Sequence, residues 1–331
     1  MISNIQYVSV MYHGRKVGTL SVGNHSCCQF EYDRTWLHEG FSLSPLHLPL
    51  KAGLFSAQWQ PFRGNFGIFE DSLPGGYGEY LLRKVIRREG IDYGSLTPVQ
   101  RLSIVGSSGM GALCYVPESK VGGISSSLTL DEMQALALEV LSERTDEGAD
   151  LLLAGSGNSG GVRPKCLYSD ESGHWLVKFR HTFDPVDIGR QEYHCNELAR
   201  QAGIVVPEFC LMEGKYFATR RFDIDANGER LHVATASGLL NEPLTPPKMD
   251  YHSLLQLTGY PHSRPRPSNS SFAAWSSTTM SATSTTMPAT SASSAATDAG
   301  NCPPPTTSQP TKPLESTPPP SISKARLLMR T

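Results

Sequence analysis

The sequence predicts an α+β fold in which two folded parts are followed by a long tail. Short apolar runs separated by Gly and Pro fill the first third of the chain, a pattern typical of β-hairpins. Helix-like and strand-like patterns then alternate. From about Tyr260 the sequence becomes a Ser/Thr/Pro/Ala string, which has too little apolar surface to form a core and is expected to be disordered. The three parts are expected at residues 1–120, 121–260 and 261–331.

The first part is predicted to be a small β-rich subdomain. Strand-like runs occur at residues 8–12, 17–20 and 30–32, and a Gly-containing turn separates the first two. A helical pattern follows at residues 80–88, where apolar pairs recur with basic residues between them. We therefore expect helices that pack against an antiparallel sheet.

The second part is predicted to alternate helices and strands. Thr129 is placed to cap a helix that continues to about residue 141. A second helix, at about residues 190–202, is followed by Gly203, which suits a left-handed C-cap. Strands are expected at residues 165–168, 175–179, 209–212 and 216–219.

Composition limits the classes of function. The chain has 331 residues, 39% of them hydrophobic, and a net charge of −2, which gives no whole-chain electrostatic case for direct nucleic-acid or membrane binding. A signal peptide and a membrane-spanning apolar run are both missing from the pattern, so a cytoplasmic protein is expected. The seven cysteines lack the spacing of a zinc site, and no metal site is predicted.

One glycine-rich segment points to phosphate binding. Gly155-Ser156-Gly157-Asn158-Ser159-Gly160 fits the pattern G-x-G-x-x-G. In a dinucleotide-binding fold this pattern must open a helix, but here a strand pattern follows it. A glycine loop between two strands is instead the arrangement that covers ATP phosphates in kinases. A flexible turn is the alternative interpretation for each glycine taken singly.

Kinase chemistry also needs a strand lysine that holds phosphate and a helix carboxylate that holds the lysine. Lys178, inside an apolar strand pattern, is the candidate lysine, and Glu192, early in the next helix, is the candidate carboxylate. The alternatives are a lysine at a strand edge that extends to water and a solvated carboxylate on a helix face.

Several motifs resemble those of the HipA-like family, the serine/threonine kinase toxins of bacterial type II toxin–antitoxin pairs. The resemblance covers residues 8 to about 260. It rests on Phe69-Glu70-Asp71-Ser72-Leu73-Pro74, on Ser108-Gly109-Met110-Gly111-Ala112-Leu113, on Ser159-Gly160-Gly161-Val162-Arg163-Pro164-Lys165, and on Arg221-Phe222-Asp223.

The resemblance implies a kinase-like N-lobe after the β-rich subdomain, ATP and Mg²⁺ as cofactors, and a DNA-binding, HipB-like antitoxin as partner. Lys165 and the glycines would contact phosphate, Lys178 would be the strand lysine, and Arg220 to Phe222 would lie beside adenine. The implied ATP-binding residues are Gly155, Gly157, Ser159, Gly160, Lys165, Lys178, Glu192, Arg220, Arg221 and Phe222.

The chain departs from the family at its C-terminal end. HipA-like kinases carry a catalytic N-x-D-D-H-x-x-N stretch and a magnesium-binding L-x-P-A-Y-D-L stretch, and neither occurs in this sequence. No catalytic residue and no Mg²⁺ site are therefore predicted, and the chain is expected to be an inactive kinase whose catalytic lobe is replaced by the tail. The alternative function is a non-catalytic remnant that binds the antitoxin, nucleotide or both.

A frameshift near Tyr260 is the interpretation that accounts for the tail. Back-translation of residues 272–290, read from the third base of each codon, permits R-R-M-V-F-N-Y-N-V-G-N-V-D-D-H-A-R-N. The same shift over residues 302–308 permits L-S-P-A-Y-D-L. A natural disordered Ser/Thr linker is the alternative.

The loss of the catalytic lobe has an expected structural consequence. Apolar residues that would pack against that lobe are expected to be exposed, while the N-terminal subdomain survives as a unit with its own core. The residues expected to be exposed are Leu239, Leu240, Leu254, Leu255 and Leu257.

Overall fold

The chain folds around two antiparallel sheets with helices packed on them. The structure, a computed structural model, describes residues 4–119, 121, 128–156, 161–243, 250, 252, 256 and 257. The predicted tail and two of the five leucines named above, Leu254 and Leu255, lie outside these residues.

The first sheet has five strands in the order β4-β3-β2-β1-β5, all antiparallel. The turn between β1 and β2 places Gly14 at φ +73°, a conformation that glycine adopts without strain. The strands are β1 (Tyr7–Tyr12), β2 (Arg15–Val22), β3 (Cys28–Tyr32), β4 (Leu54–Ser56) and β5 (Leu113–Val116). The predicted β-rich subdomain is thus confirmed.

Four helices accompany this sheet, and α4 contacts β1, β2 and β5. Thr97 caps α4 through a capping box with Gln100, which satisfies N–H groups that the first helical turn leaves without partners. The helices are α1 (Arg34–Glu39), α2 (Gly67–Glu70), α3 (Tyr77–Arg88) and α4 (Pro98–Val105). Buried Phe30 of β3, Trp36 of α1 and Phe69 of α2 belong to one core beside this sheet.

The second sheet has four antiparallel strands in the order β6-β7-β9-β8. All four lie where the sequence predicts strands. They are β6 (Lys165–Asp170), β7 (Gly173–Lys178), β8 (Phe209–Met212) and β9 (Tyr216–Arg220), and the helices of this part are α5 (Leu130–Leu141), α6 (Ala149–Ser156), α7 (Ile188–Gln201) and α8 (Ala236–Leu240). Among the described helices, none combines the length and apolar character needed to cross a bilayer.

Helix ends in this part follow the sequence signals closely. Thr129 accepts a hydrogen bond from the N–H of Glu132, and the Glu132 carboxylate accepts one from the N–H of Thr129. After α7, Gly203 adopts φ +79°, as expected for the residue that ends a helix. Both predicted helix boundaries are confirmed.

The two faces of the second sheet have different roles. One face packs with Leu130 of α5 and carries Cys166, Trp175, Val177, Cys210, Met212, Tyr216 and Ala218. On the opposite face, Phe209, Leu211 and Phe217 pack against Tyr193 of α7. Because strand residues alternate between faces, Lys178 at the end of β7 lies on the α7 face, beside Phe217.

Residues 221–243, here termed the linking segment, run from the second sheet back across the first part. Its Thr235 donates to Asp71 from both the backbone N–H (2.7 Å) and the hydroxyl (2.6 Å). Arg230 donates to the carbonyls of Ser107 and Gly109. Burial raises the pKa of Asp71 to about 7, although the Thr235 hydrogen bonds oppose the rise. The linking segment is therefore held by the first part through specific polar contacts.

Three of the leucines that were expected to be exposed are buried or partly buried in the structure. Leu239 is 1% and Leu257 4% exposed, and both belong to the core of the first part together with Ala234 and Ala236. Leu240 is partly buried against the same core. The prediction that these three leucines are exposed was wrong. Leu239 and Leu240 lie in the linking segment, which packs on the first part, and Leu257 belongs to the same core. A fragment that ends at residue 120 would lack these core side chains.

Candidate functional site

Lys178 and Glu192 meet as the sequence predicts. Lys178 Nζ lies 2.9 Å from Glu192 Oε2 and 5.3 Å from the centre of the Phe217 ring. Apart from this ion pair, the buried Oε2 accepts no hydrogen bond from the described part of the chain. The Lys178 side chain is one-third exposed, so it can reach a ligand while Glu192 and Phe217 fix its position.

A glycine in the first turn of α7 makes this meeting possible. A Cβ atom on Gly189 would lie 2.1 Å from the carbonyl oxygen of Lys215 and 3.1 Å from the Phe217 nitrogen. Only glycine lets α7 approach the β8–β9 turn this closely. Tyr193 then packs on Phe209 with ring centres 5.2 Å apart. The close approach brings Glu192 over the end of β7.

Arg163 and Asp184 complete a charged cluster that the sequence reasoning did not select. Arg163 donates two hydrogen bonds of 2.9 Å to Asp184, and its Nη1 lies 3.6 Å from Glu192 Oε1. Burial alone raises the pKa of Asp184, but the hydrogen bonds from Arg163 and the His181 N–H outweigh it, so the net pKa is lowered. Glu192 is thus held between two cations, Arg163 and Lys178.

Lys165 lies directly opposite Lys178 in the β6–β7 pair. Its side chain is buried, and its Nζ donates to the carbonyl oxygen of Gly161 at 3.2 Å. Residues directly opposite in an antiparallel pair share a face, and two like charges there repel each other. Two ammonium groups on one face, close to a glycine-rich segment, favour an anionic ligand between them.

The glycine segment does not connect two strands. Gly155 lies in the last turn of α6, which ends at Ser156, and β6 begins at Lys165. The expected loop between two strands was therefore wrong, because the apolar residues before Gly155 continue a helix. Gly157, Ser159 and Gly160 lie outside the described residues. The first described residue after the segment is Gly161, at φ +95°.

Of the three residues expected beside adenine, Arg220 directs its side chain elsewhere. Arg220 is paired with Trp175 in the β7–β9 register, so it lies on the sheet face opposite Lys178. It bonds Glu208 at 2.6 Å and stacks on the Trp175 ring at 5.1 Å. The Arg220 guanidinium is therefore not brought to the Lys178 face.

Arg221 is bound within the protein. It makes two hydrogen bonds, of 2.9 and 2.7 Å, to the fully buried Asp223. Asp223 also accepts a hydrogen bond from the N–H of Gly111 in the first part. Burial tends to raise the pKa of Asp223, but Arg221 overcomes this and lowers it. The Arg221–Asp223 pair joins the two parts of the chain.

A small pocket lies where the adenine base was expected. Its walls come from the second sheet, the start of the linking segment and one residue of the first part, Met110. They consist of Met110, Leu167, Leu176, Pro207, Thr219, Arg220, Arg221, Phe222 and Asp223. Leu176 and Thr219 are paired on the Lys178 face, so the pocket and the two lysines share one side of the sheet.

A strand lysine paired with a carboxylate from the next helix is one element of the phosphate-binding arrangement of protein kinases. Residues 8–116 match the HipA N-terminal domain, and residues 157–278 match the HipA-like C-terminal domain. The two matches cover most of the chain, which belongs to the HipA-like family. The second match continues past Tyr260, into the predicted tail.

One solved structure with a similar chain is a complex of HipA, HipB and operator DNA from the toxin–antitoxin system of Shewanella oneidensis MR-1. The sequence identity is 20%, the TM-score is 0.48, and the match covers 72% of this chain. The match covers 57% of the Shewanella chain. No curated protein sequence matches this chain.

Proposed function

We propose that the gene encodes a HipA-type, ATP-dependent serine/threonine protein kinase toxin, and that this chain binds nucleotide without transferring phosphate. The observation that carries the proposal is the Lys178–Glu192 ion pair on a sheet face that also presents Lys165. Family membership supports the toxin class. The absence of the two transfer motifs from the sequence supports the inactivity.

The residues of the site fit a nucleotide. Lys178, oriented by Glu192, would hold a phosphate oxygen, and Lys165 would meet the same phosphates from the neighbouring strand. The base would enter the small pocket beside Leu176 and Thr219. Bound ATP would supply the phosphoryl group, and this chain's own residues would bind and orient it.

We propose that this chain lacks the magnesium site of the family. Its sequence has no N-x-D-D-H-x-x-N stretch. The sequence also lacks the aspartate of the L-x-P-A-Y-D-L stretch. Without these ligands, transfer to a hydroxyl has neither a metal clamp nor an orienting base.

A DNA-binding, HipB-like antitoxin is the proposed partner, on the ground of family membership. We place the protein in the cytoplasm, where such an antitoxin would meet DNA. Contact with DNA would occur through the antitoxin, since the net charge of this chain is −2.

A frameshift near Tyr260 is the proposed origin of the missing motifs. Resequencing the region that codes for residues 257–272 is expected to reveal one inserted or deleted base. If the reading frame is intact there, the tail is a natural linker and the frameshift is excluded.

Nucleotide binding is expected to depend on Lys178. Replacement of Lys178 by Ala removes a charge-assisted hydrogen bond worth about 1.5–3 kcal/mol, which corresponds to about 10- to 100-fold weaker ATP binding. Isothermal calorimetry on the full chain measures this.

The matched control is Lys215→Ala. Lys215 precedes β9 of the same sheet and pairs with Asp131 of α5, so the variant loses the same charge away from the Lys178 face. Equal ATP affinity for wild type, Lys178→Ala and Lys215→Ala would show that the nucleotide does not bind at Lys178.

A further inference from the structure

The first part of the chain reaches the nucleotide site through the N-terminus of α3. The backbone N–H of Tyr77, the first residue of α3, donates to the carbonyl oxygen of Gly161 at 2.9 Å. The same oxygen accepts from Lys165 Nζ at 3.2 Å. One carbonyl group therefore connects α3 of the first part to a lysine of the proposed site.

Helix α3 is a firm support for this contact. Tyr77, Leu81 and Val85 are buried with side chains of α5 and α6 in one core. The Tyr80 hydroxyl also donates to the carbonyl oxygen of Val140 at 2.8 Å. Helix α3 contacts α6, which precedes the glycine segment, and Gly161, which follows it. It therefore contacts the chain on both sides of that segment.

Gly76 is the residue that allows the contact. A Cβ atom at this position would lie 2.4 Å from the Gly161 oxygen and 2.9 Å from the Val162 nitrogen. Real side chains do not approach backbone atoms this closely, so any larger residue must displace Gly161. Gly76 also adopts φ +53°, which other residues adopt only with strain.

We infer that Gly76 is a positioning residue of the nucleotide site: it lets α3 hold the Gly161 carbonyl, which in turn orients the Lys165 ammonium toward phosphate. The inference rests on the proposed function and extends it, because it makes the first part of the chain a component of the site. Loss of the contact affects the phosphate end of the ligand and leaves the base pocket intact.

The test compares Gly76→Ala with Gly90→Ala in the full chain. Gly90 follows the other end of α3 at φ +74° and has no atom within 4 Å of a Cβ position, so it controls for the strain of a positive φ. We expect Gly76→Ala to bind ATP about tenfold more weakly, as for a lost charge-assisted hydrogen bond, and to bind adenosine unchanged. Gly90→Ala should match the wild type for both ligands.

A second measurement needs no variant. Binding of ATP, but not of adenosine, should slow hydrogen exchange at the Tyr77 amide, because a ligand held by Lys165 stabilises the Gly161 carbonyl that this amide contacts. Unchanged exchange would overturn the inference even if Gly76→Ala failed to fold.

The outcomes separate the two proposals. If the wild type binds ATP and Lys178→Ala weakens binding while Gly76→Ala does not, the positioning role of Gly76 is wrong and the proposed function stands. A wild type that binds no ATP contradicts both. Equal weakening of ATP and adenosine binding by Gly76→Ala would indicate general damage to the fold and would also overturn the positioning role.

Discussion

Replacement of Leu239 by Ala is expected to destabilise the chain by about 2–5 kcal/mol, the usual cost of emptying a buried leucine site. Leu239 is 1% exposed and lies in the core of the first part, beside Ala236 and Leu257. The variant therefore removes apolar contacts between the linking segment and the first part. Chemical denaturation, followed by far-UV circular dichroism, measures the loss.

Leu198→Ala is the matched control. Leu198 is 64% exposed on α7, so the same chemical change removes little buried surface. If both variants lose the same unfolding free energy, the linking segment does not pack on the first part. Leu239 would then be exposed, as the sequence alone predicted.

Replacement of Asp223 by Asn is expected to cost about 3–5 kcal/mol, the range for removal of one partner from a buried ion pair. Asp223 is fully buried and accepts hydrogen bonds from Arg221 and from the Gly111 N–H. The variant leaves the Arg221 guanidinium without a counter-charge and places an amide N–H₂ among donors. Denaturation curves again give the change in unfolding free energy.

The control for Asp223→Asn is Asp131→Asn. Asp131 pairs with Lys215 at the surface, where the side chains are 62% and 46% exposed, and such pairs contribute little. The Tyr216 hydroxyl also donates to Asp131, and an Asn oxygen can still accept that hydrogen bond. A loss at Asp223 no larger than at Asp131 would mean that the Arg221–Asp223 pair does not join the two parts.

Local patterns were sufficient to predict most of the elements. Three predicted features depend only on neighbouring residues, and all three are confirmed. They are the strand that contains Lys178, the helix cap at Thr129 and the helix end at Gly203. The meeting of Lys178 and Glu192 could also be predicted, because a strand lysine and a carboxylate early in the next helix follow a known spatial arrangement.

Long-range packing could not be predicted from these patterns. The burial of Leu239 depends on a core formed by residues far away in the sequence, such as Val8. Arg163 was overlooked because its partners, Asp184 and Glu192, come together only in the fold. Gly189 could have been noticed as a glycine within a helix, which marks a close approach when packing demands it.

We expect this chain to retain a nucleotide site and to lack phosphoryl transfer. The full chain is incubated with γ-labelled ATP and Mg²⁺. Filter binding of one portion measures the bound nucleotide, and acid precipitation of the rest measures the phosphate transferred to protein. The expected result is that the filter retains label, that Lys178→Ala retains less, and that no acid-stable phosphate is incorporated. Acid-stable phosphate above the level of Lys178→Ala would contradict it, as would label retention unaffected by that variant.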